Sequence, residues 1–171
     1  GLLKGDILLN LDTEEDDEIG VGCAGGIDVT AVGTYNEEPI PETKIGYSIE
    51  VKGLQGGHSG MDIHKGFGNA NKIMNRLLFD AFENFGLRIS EIDGGSLRNA
   101  IPRESKAIVA IDLVQEEAFK YEMGLQVESI QTELKTLEPD LTVVFTKINT
   151  PKVMMDLGVQ EGLTRAIYAG L

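Results

Sequence analysis

The chain has 171 residues, of which 42% are hydrophobic, so it is long enough to bury the core of one ordinary globular domain. Its 28 acidic residues outnumber 15 basic ones, and the formal net charge of −13 argues against nucleic acid and anionic membranes as partners. The single cysteine, Cys23, excludes an internal disulfide and a cysteine-based zinc cage, and it fits a reducing compartment.

Both ends of the sequence look cut rather than natural. The chain lacks an initiator methionine, starts directly before a strand-like run and stops inside a helical pattern. No apolar stretch is long enough to span a bilayer. We therefore expect a fragment of a longer protein, without a membrane segment of its own.

The first predicted elements are strands. Residues 6–12 form a short apolar run closed by acidic residues, which predicts a buried strand before the acidic cluster at 13–18. The β-branched segment 27–36 predicts another strand, which ends at the turn-like sequence 36–39. Polar and hydrophobic residues alternate at 44–52, which predicts a strand with one buried face formed by Ile45, Tyr47, Ile49 and Val51.

The hydrophobic period changes after the glycine-rich loop 53–60. Hydrophobic residues then recur at spacings of three and four, which predicts an amphipathic helix that ends at Gly86. The further predicted elements are strands at 87–93 and 106–113, a helix with hydrophobic positions from 119 to 137, a strand at 141–148 and a third helix near the end. From residue 43 to 148 the order is β-α-β-β-α-β. The simplest solution is an α+β, ferredoxin-like antiparallel sheet with both helices on one face.

Three polar residues are candidates for chemistry. Asp12 ends a buried-looking strand, so it is either a metal ligand or part of a solvated acidic turn. His58 lies between glycines in GGHSG, where it either donates a hydrogen bond to an oxyanion or exchanges protons, or else caps the following helix or hydrogen-bonds the turn. Asn99 lies in a second glycine-led loop and either holds a substrate carbonyl or carboxylate or is an ordinary turn asparagine. The other histidine, His64, is expected to be structural or exposed.

Three segments together resemble a known family. NLDTEE with GCAGG, then GGHSG before a helix, then GGSLRNAIPRE before a strand, occur in the order typical of M20 metallopeptidases. The resemblance covers the chain from residue 6 to the final helix. It implies a two-domain enzyme in which a ferredoxin-like lid closes over a catalytic domain with two zinc ions. Within the family it points to cytoplasmic dipeptidases that cleave Xaa-His dipeptides.

The resemblance also implies roles and boundaries. Residues 1–26 would end the catalytic domain and include its last strands, and 27–171 would form a lid truncated at its C-terminus. Asp12 would ligate metal, His58 would stabilise the oxyanion, and Asn99 would hold the substrate. The resemblance implies no role for Arg103. The family's His-x-Asp motif, Glu-Glu pair and final histidine ligand are missing from this sequence. The fragment alone is therefore expected to be inactive and not to bind zinc tightly.

Two other functions remain open. A self-contained ferredoxin-like module would bind an anion in its glycine loops, or a second copy through the edge of the strand at 44–52. A dimerisation domain is the third reading, and it overlaps with the first because lids of this family often carry subunit contacts. A dipeptide substrate and a homodimer partner are thus both expectations.

Overall fold

The computed structural model of the protein describes residues 4–7, 17 and 25–170. The chain divides into two compact units, residues 1–33 and 34–171. The described residues of the first unit form no helix or strand. Asp12 and Cys23, together with most of the strand predicted at 6–12, lie outside the described residues.

The second unit contains all the described helices and strands. The strands are β1 (Glu37–Pro39), β2 (Lys44–Lys52), β3 (Gly57–His58), β4 (Arg88–Gly94), β5 (Ala100–Ile101), β6 (Ser105–Asp112), β7 (Thr142–Ile148) and β8 (Val153–Met155). The α-helices are α1 (Ala70–Phe85), α2 (Glu116–Leu134) and α3 (Leu157–Ala169). None of these helices is both long enough and apolar enough to cross a membrane.

The main sheet has four antiparallel strands in the order β4-β6-β2-β7. This is the strand order of a ferredoxin-like fold, with α1 and α2 as the two connecting helices. The predicted face of β2 is buried at Tyr47, Ile49 and Val51, which pack with residues of both helices in one core. The predicted fold is therefore confirmed.

Local sequence explains where the first helix begins and ends. The side chain of Asn69 accepts hydrogen bonds from the backbone N–H groups of Asn71 and Lys72, which caps the start of α1. Gly86 adopts a left-handed conformation with a φ of 59° and ends the helix, as predicted. The buried stripe between these caps includes Met74, Leu77 and Leu78, each with no exposed surface.

Two expectations about strands are wrong. Residues 27–36 form no strand, and Ile27, Val29 and Val32 are almost fully exposed. β-Branched residues favour a strand only when they pair and pack, and no described strand pairs with this segment. The turn expected at 36–39 instead contains β1, which pairs with β8.

The edge-to-edge pairing suggested for the strand at 44–52 is also wrong. β2 is an interior strand, hydrogen-bonded to β6 on one side and to β7 on the other. Its backbone groups are therefore not free to pair with a second copy. Near the β4 edge, the buried side chain of Gln160 accepts from the N–H of Ile89 and donates to the carbonyl of Leu87, so α3 covers backbone groups there.

Candidate functional site

The two glycine-rich loops singled out in the sequence lie side by side. β3 and β5 pair in antiparallel register, with His58 opposite Ala100 and Gly57 opposite Ile101. The ladder continues through a hydrogen bond of 2.9 Å from the Ser59 N–H to the Asn99 carbonyl. We call residues 53–68 and 94–104 the loop pair. The structure thus brings His58 and Asn99 together, although 41 positions separate them in the sequence.

The hydrogen bonds around His58 indicate which nitrogen of the neutral ring carries the proton. Nδ1 accepts from the backbone N–H groups of Gly60 and Met61, at 3.1 Å each. A nitrogen that accepts carries no proton, so the neutral ring carries its proton on Nε2. The side chain is exposed. The neutral ring therefore has one N–H donor, Nε2–H, that these two hydrogen bonds leave unused.

Asp62 holds the backbone of His58. Its Oδ2 accepts from the His58 N–H at 2.7 Å, and its own N–H donates to the His58 carbonyl at 3.0 Å. The ammonium of Lys65 lies 2.7 Å from the other carboxylate oxygen. The hydrogen bond from Lys65, followed by the one from the His58 N–H, lowers the pKa of the Asp62 carboxyl. A short closed turn with a charged acceptor thus presents the histidine.

The start of α1 braces the second loop. The N–H of Ala70 donates to the Pro102 carbonyl at 2.8 Å, and the side-chain amide of Asn71 donates to the Gly94 carbonyl at 3.2 Å. A Cβ at Gly94 would collide with Asn71 Oδ1, so a larger residue there would displace the side chain of Asn71. The loop pair is therefore tied to the helix as well as to itself.

A cleft of about 840 Å³ adjoins the loop pair. Residues of β2, β6 and the loops line it, and its charged groups have both signs, with Glu50 3.2 Å from Lys106 and 3.8 Å from Lys52. Arg103, to which no role was carried, also lines it. His58 and Asn99 are exposed and do not line this cleft. The cleft by itself therefore does not explain the two candidate residues.

Within the described part of the chain, no three His, Cys, Asp or Glu residues group closely enough to hold a metal ion. Asp12 is not among the described residues, and His64 is exposed in the short turn Ile63–Lys65. The described residues therefore do not fit a zinc site by themselves.

Sequence reasoning found the two loops but missed the residues that hold them. Asp62 and Asn71 read as ordinary polar residues near a helix start, and only the spacing of four between His58 and Asp62 hinted at a local contact. The roles expected for His58 and Asn99 stay predictions at this point.

Comparison with known proteins identifies the family. The profile of the family described as peptidase dimerisation domain matches residues 49–138. The cytosol non-specific dipeptidase of Escherichia coli strain K12 is 39% identical over 167 residues, which are 98% of this chain and 34% of the relative. The chain thus spans about a third of the length of this curated relative.

Solved structures agree with the fold. The aminoacylhistidine dipeptidase of Vibrio alginolyticus matches with a TM-score of 0.76 and 36% identity, over 79% of this chain and 28% of that one. A putative amidohydrolase/peptidase of Burkholderia cenocepacia matches with a TM-score of 0.52 and 12% identity, over 64% of this chain and 28% of that one, which is a likeness of fold alone. Since the profile covers more than half of the chain, this protein belongs to the peptidase dimerisation domain family of the M20 peptidases.

Proposed function

We propose that the chain is the lid portion of an M20 dipeptidase, and that His58 donates a hydrogen bond from Nε2 to the oxyanion that develops on the substrate's peptide carbonyl. The observation that carries this proposal is the double occupation of Nδ1 by the N–H groups of Gly60 and Met61. A ring fixed in this way has its remaining N–H available without further reorganisation. Preorganised donors of this kind are effective because they need not reorient as charge develops.

Asn99 is the proposed substrate-binding residue. Its backbone carbonyl accepts a hydrogen bond from the N–H of Ser59, the residue after His58, and Asn99 is exposed. An amide offers both a donor and an acceptor, which suits the backbone end of a dipeptide. His58 and Asn99 would then contact neighbouring parts of one substrate.

This chain would supply only part of the proposed metal site. The M20 resemblance implies two zinc ions, with Asp12 as one ligand at the end of the catalytic domain (residues 1–26) and the lid at 27–171. The remaining ligands would come from outside this chain. We accordingly propose that this fragment alone is inactive and that the longer protein acts in the cytoplasm.

Two relatives suggest different substrate ranges. One is named a non-specific dipeptidase and the other an aminoacylhistidine dipeptidase. We propose hydrolysis of dipeptides with a C-terminal histidine among the substrates of the longer protein. A panel of dipeptides with and without C-terminal histidine, compared by kcat/KM, distinguishes a histidine preference from a broad range.

The test of the proposal is the change His58→Ala in the longer protein that carries this chain. Loss of one oxyanion donor should lower kcat about 100- to 1,000-fold, because the lost interaction is made mainly in the transition state. The matched control is His64→Ala, which removes an exposed histidine six positions further on and should leave kcat within about twofold, as expected of a surface change. Near-wild-type kcat in the His58 variant would overturn the proposal.

A second function, dimerisation, is favoured by the matched family itself. β7 lies at one edge of the main sheet, whereas α3 covers backbone groups at the β4 edge. We infer that the lid also carries a subunit contact in a homodimer. Sedimentation equilibrium of the longer protein at several concentrations tests this, and a monomer at all concentrations would contradict it.

A further inference from the structure

A buried carboxylate lies beneath the loop that carries His58. Glu138 belongs to the connection between α2 and β7, and only 2% of the residue is exposed. Its Oε2 accepts from the backbone N–H of Gln55 at 2.7 Å, and its Oε1 accepts from the backbone N–H of Gly68 at 2.7 Å. One side chain thus binds two points of the same segment.

These two points flank the candidate histidine. Gln55 precedes His58 by three positions and Gly68 follows it by ten, so the carboxylate joins the two ends of segment 55–68. Joining the ends of a loop restricts the conformations open to everything between them. The hydrogen bonds to Gly60, Met61 and Asp62 set the ring within the segment, whereas Glu138 sets where the segment lies on the fold.

The neighbouring backbone reinforces this attachment. The side-chain amide of Gln55 donates to the carbonyl of Leu137. A Cβ at Gly68 would lie 2.7 Å from Leu54 Cδ2 and 3.2 Å from Glu138 Cγ, so the backbone of Gly68 packs closely against both side chains. Leu137 and Glu138 together thus contact both ends of the segment.

The hydrogen bonds from Gln55 and Gly68 also stabilise the buried negative charge of Glu138. A buried carboxylate is costly unless hydrogen bonds replace the water it has lost, and charge-assisted hydrogen bonds are stronger than neutral ones. The N–H of Gly68 has the matching requirement, because Gly68 is buried and a buried donor without an acceptor costs free energy as well. Breaking the contact between Glu138 and Gly68 therefore carries a penalty for both groups.

We propose that Glu138 is a positioning residue for His58: its carboxylate fixes both ends of segment 55–68 and so places the histidine over the substrate carbonyl. This inference rests on the proposed function. Glu138 would affect catalysis indirectly, through the position of His58. Since small misplacements of a reacting group lower rates strongly, loss of the attachment should affect turnover rather than substrate binding.

The test is the change Glu138→Gln in the longer protein. An amide keeps the size of the side chain but offers one acceptor oxygen and one donor nitrogen, so one of the two N–H groups loses its partner. We expect kcat to fall about tenfold or more, with KM changed less than about threefold, because a displaced histidine weakens a transition-state contact. Glu138→Asp, which keeps the charge on a shorter arm, should cause a smaller loss in the same parameter.

Two controls separate positioning from general destabilisation. Glu133→Gln makes the same chemical change in α2 but removes only an ion pair with Arg76 on the surface, so kcat should not change. Ile130→Val shortens a buried side chain of the core and lowers stability without changing the carboxylate of Glu138, and kcat below the unfolding temperature should again be unchanged. A loss of kcat in Ile130→Val equal to that in Glu138→Gln would overturn the inference.

The double variant His58→Ala/Glu138→Gln distinguishes this inference from the proposed function. If Glu138 acts through His58, the double variant should have the kcat of His58→Ala alone, within about twofold. Full additivity, or a normal kcat in Glu138→Gln beside a large loss in His58→Ala, overturns the role of Glu138 only. Near-wild-type kcat in His58→Ala overturns the proposed function itself. If Glu138→Gln fails to fold, Glu138→Asp is judged by the same criteria.

Discussion

The core and the loop pair of this domain are held together by different forces. In the core, α1 and α2 pack on one face of the sheet through aliphatic and aromatic side chains such as Leu77, Ile49 and Phe119, which have no exposed surface. In the loop pair, individual hydrogen bonds hold the segments: Glu138 and Asp62 accept from backbone N–H groups, and the start of α1 donates to a backbone carbonyl. The core depends on the sum of many weak contacts, whereas the loop pair depends on a few directional ones.

Under the proposed function, this difference separates the residues that determine stability from those that position His58. Hydrophobic burial is non-directional, so the core tolerates exchanges that keep volume and polarity. Hydrogen bonds to a buried carboxylate require one geometry, so the loop pair tolerates few exchanges at its anchors. We therefore expect core variants to change stability and anchor variants to change turnover.

The largest effect on stability is expected from Leu77→Ala. Leu77 lies in α1 with no exposed surface, and its truncation leaves a cavity in the core. We expect a loss of about 2–5 kcal/mol in the free energy of unfolding, measured by chemical denaturation. Leu125→Ala in α2 is the matched control, because Leu125 is 45% exposed, and it should cost less than about 1 kcal/mol. Equal losses in the two variants would contradict the described core.

Gly53→Ala tests whether backbone packing fixes the beginning of the loop pair. Gly53 has a φ of 83°, and an added Cβ would collide with the backbone carbonyl oxygen of Asp140. We expect a loss of about 2–4 kcal/mol, from the left-handed conformation and from the displaced backbone. Gly86→Ala separates these causes, because Gly86 also has a positive φ but no atom within 4 Å of the added Cβ. It should cost only about 1–2 kcal/mol in the same denaturation experiment.

The smallest effect concerns a polar cluster around Glu116, at the start of α2. Glu116 accepts from the Tyr47 hydroxyl at 2.6 Å and from Lys147 at 2.9 Å. The hydrogen bond from Tyr47, followed by the one from Lys147, lowers the pKa of Glu116 from 4.5 to about 2. Burial, followed by the hydrogen bond with Glu116, raises the pKa of Tyr47 from 10.0 to about 12.

These shifts predict a plateau of stability between two pH limits. The contribution of Glu116 is complete above pH 4.5 and is lost as the pH falls towards about 2, because its pKa is lower in the folded state. The contribution of Tyr47 is complete below pH 10 and is lost as the pH rises towards about 12, because its pKa is higher in the folded state. Thermal unfolding across pH should therefore show a Tm difference between wild type and Glu116→Gln that shrinks in the acidic range. A difference independent of pH would refute the assignment to Glu116.

Hydrophobic patterns predicted the main sheet because they are local. The alternation at 44–52 and the three-and-four spacing before Gly86 specify which face of each element is apolar, and burial then selects the arrangement. The same logic wrongly predicted a strand at 27–36, where β-branched residues are present but no described strand pairs with them. It also missed β1 and β8, whose pairing joins residues more than one hundred positions apart.

The sequence by itself determined the ferredoxin-like order of elements, the glycine that ends α1 and the two loops that carry His58 and Asn99. Only the tertiary structure decided that these loops pair with each other and that Glu138, an ordinary acidic residue in the sequence, binds both ends of one of them. The physical reason is the range of the interactions. A helix cap or an apolar stripe involves neighbours along the chain, whereas the hydrogen bonds of Glu138 to Gln55 and Gly68 span 83 and 70 positions and exist only after the chain has folded.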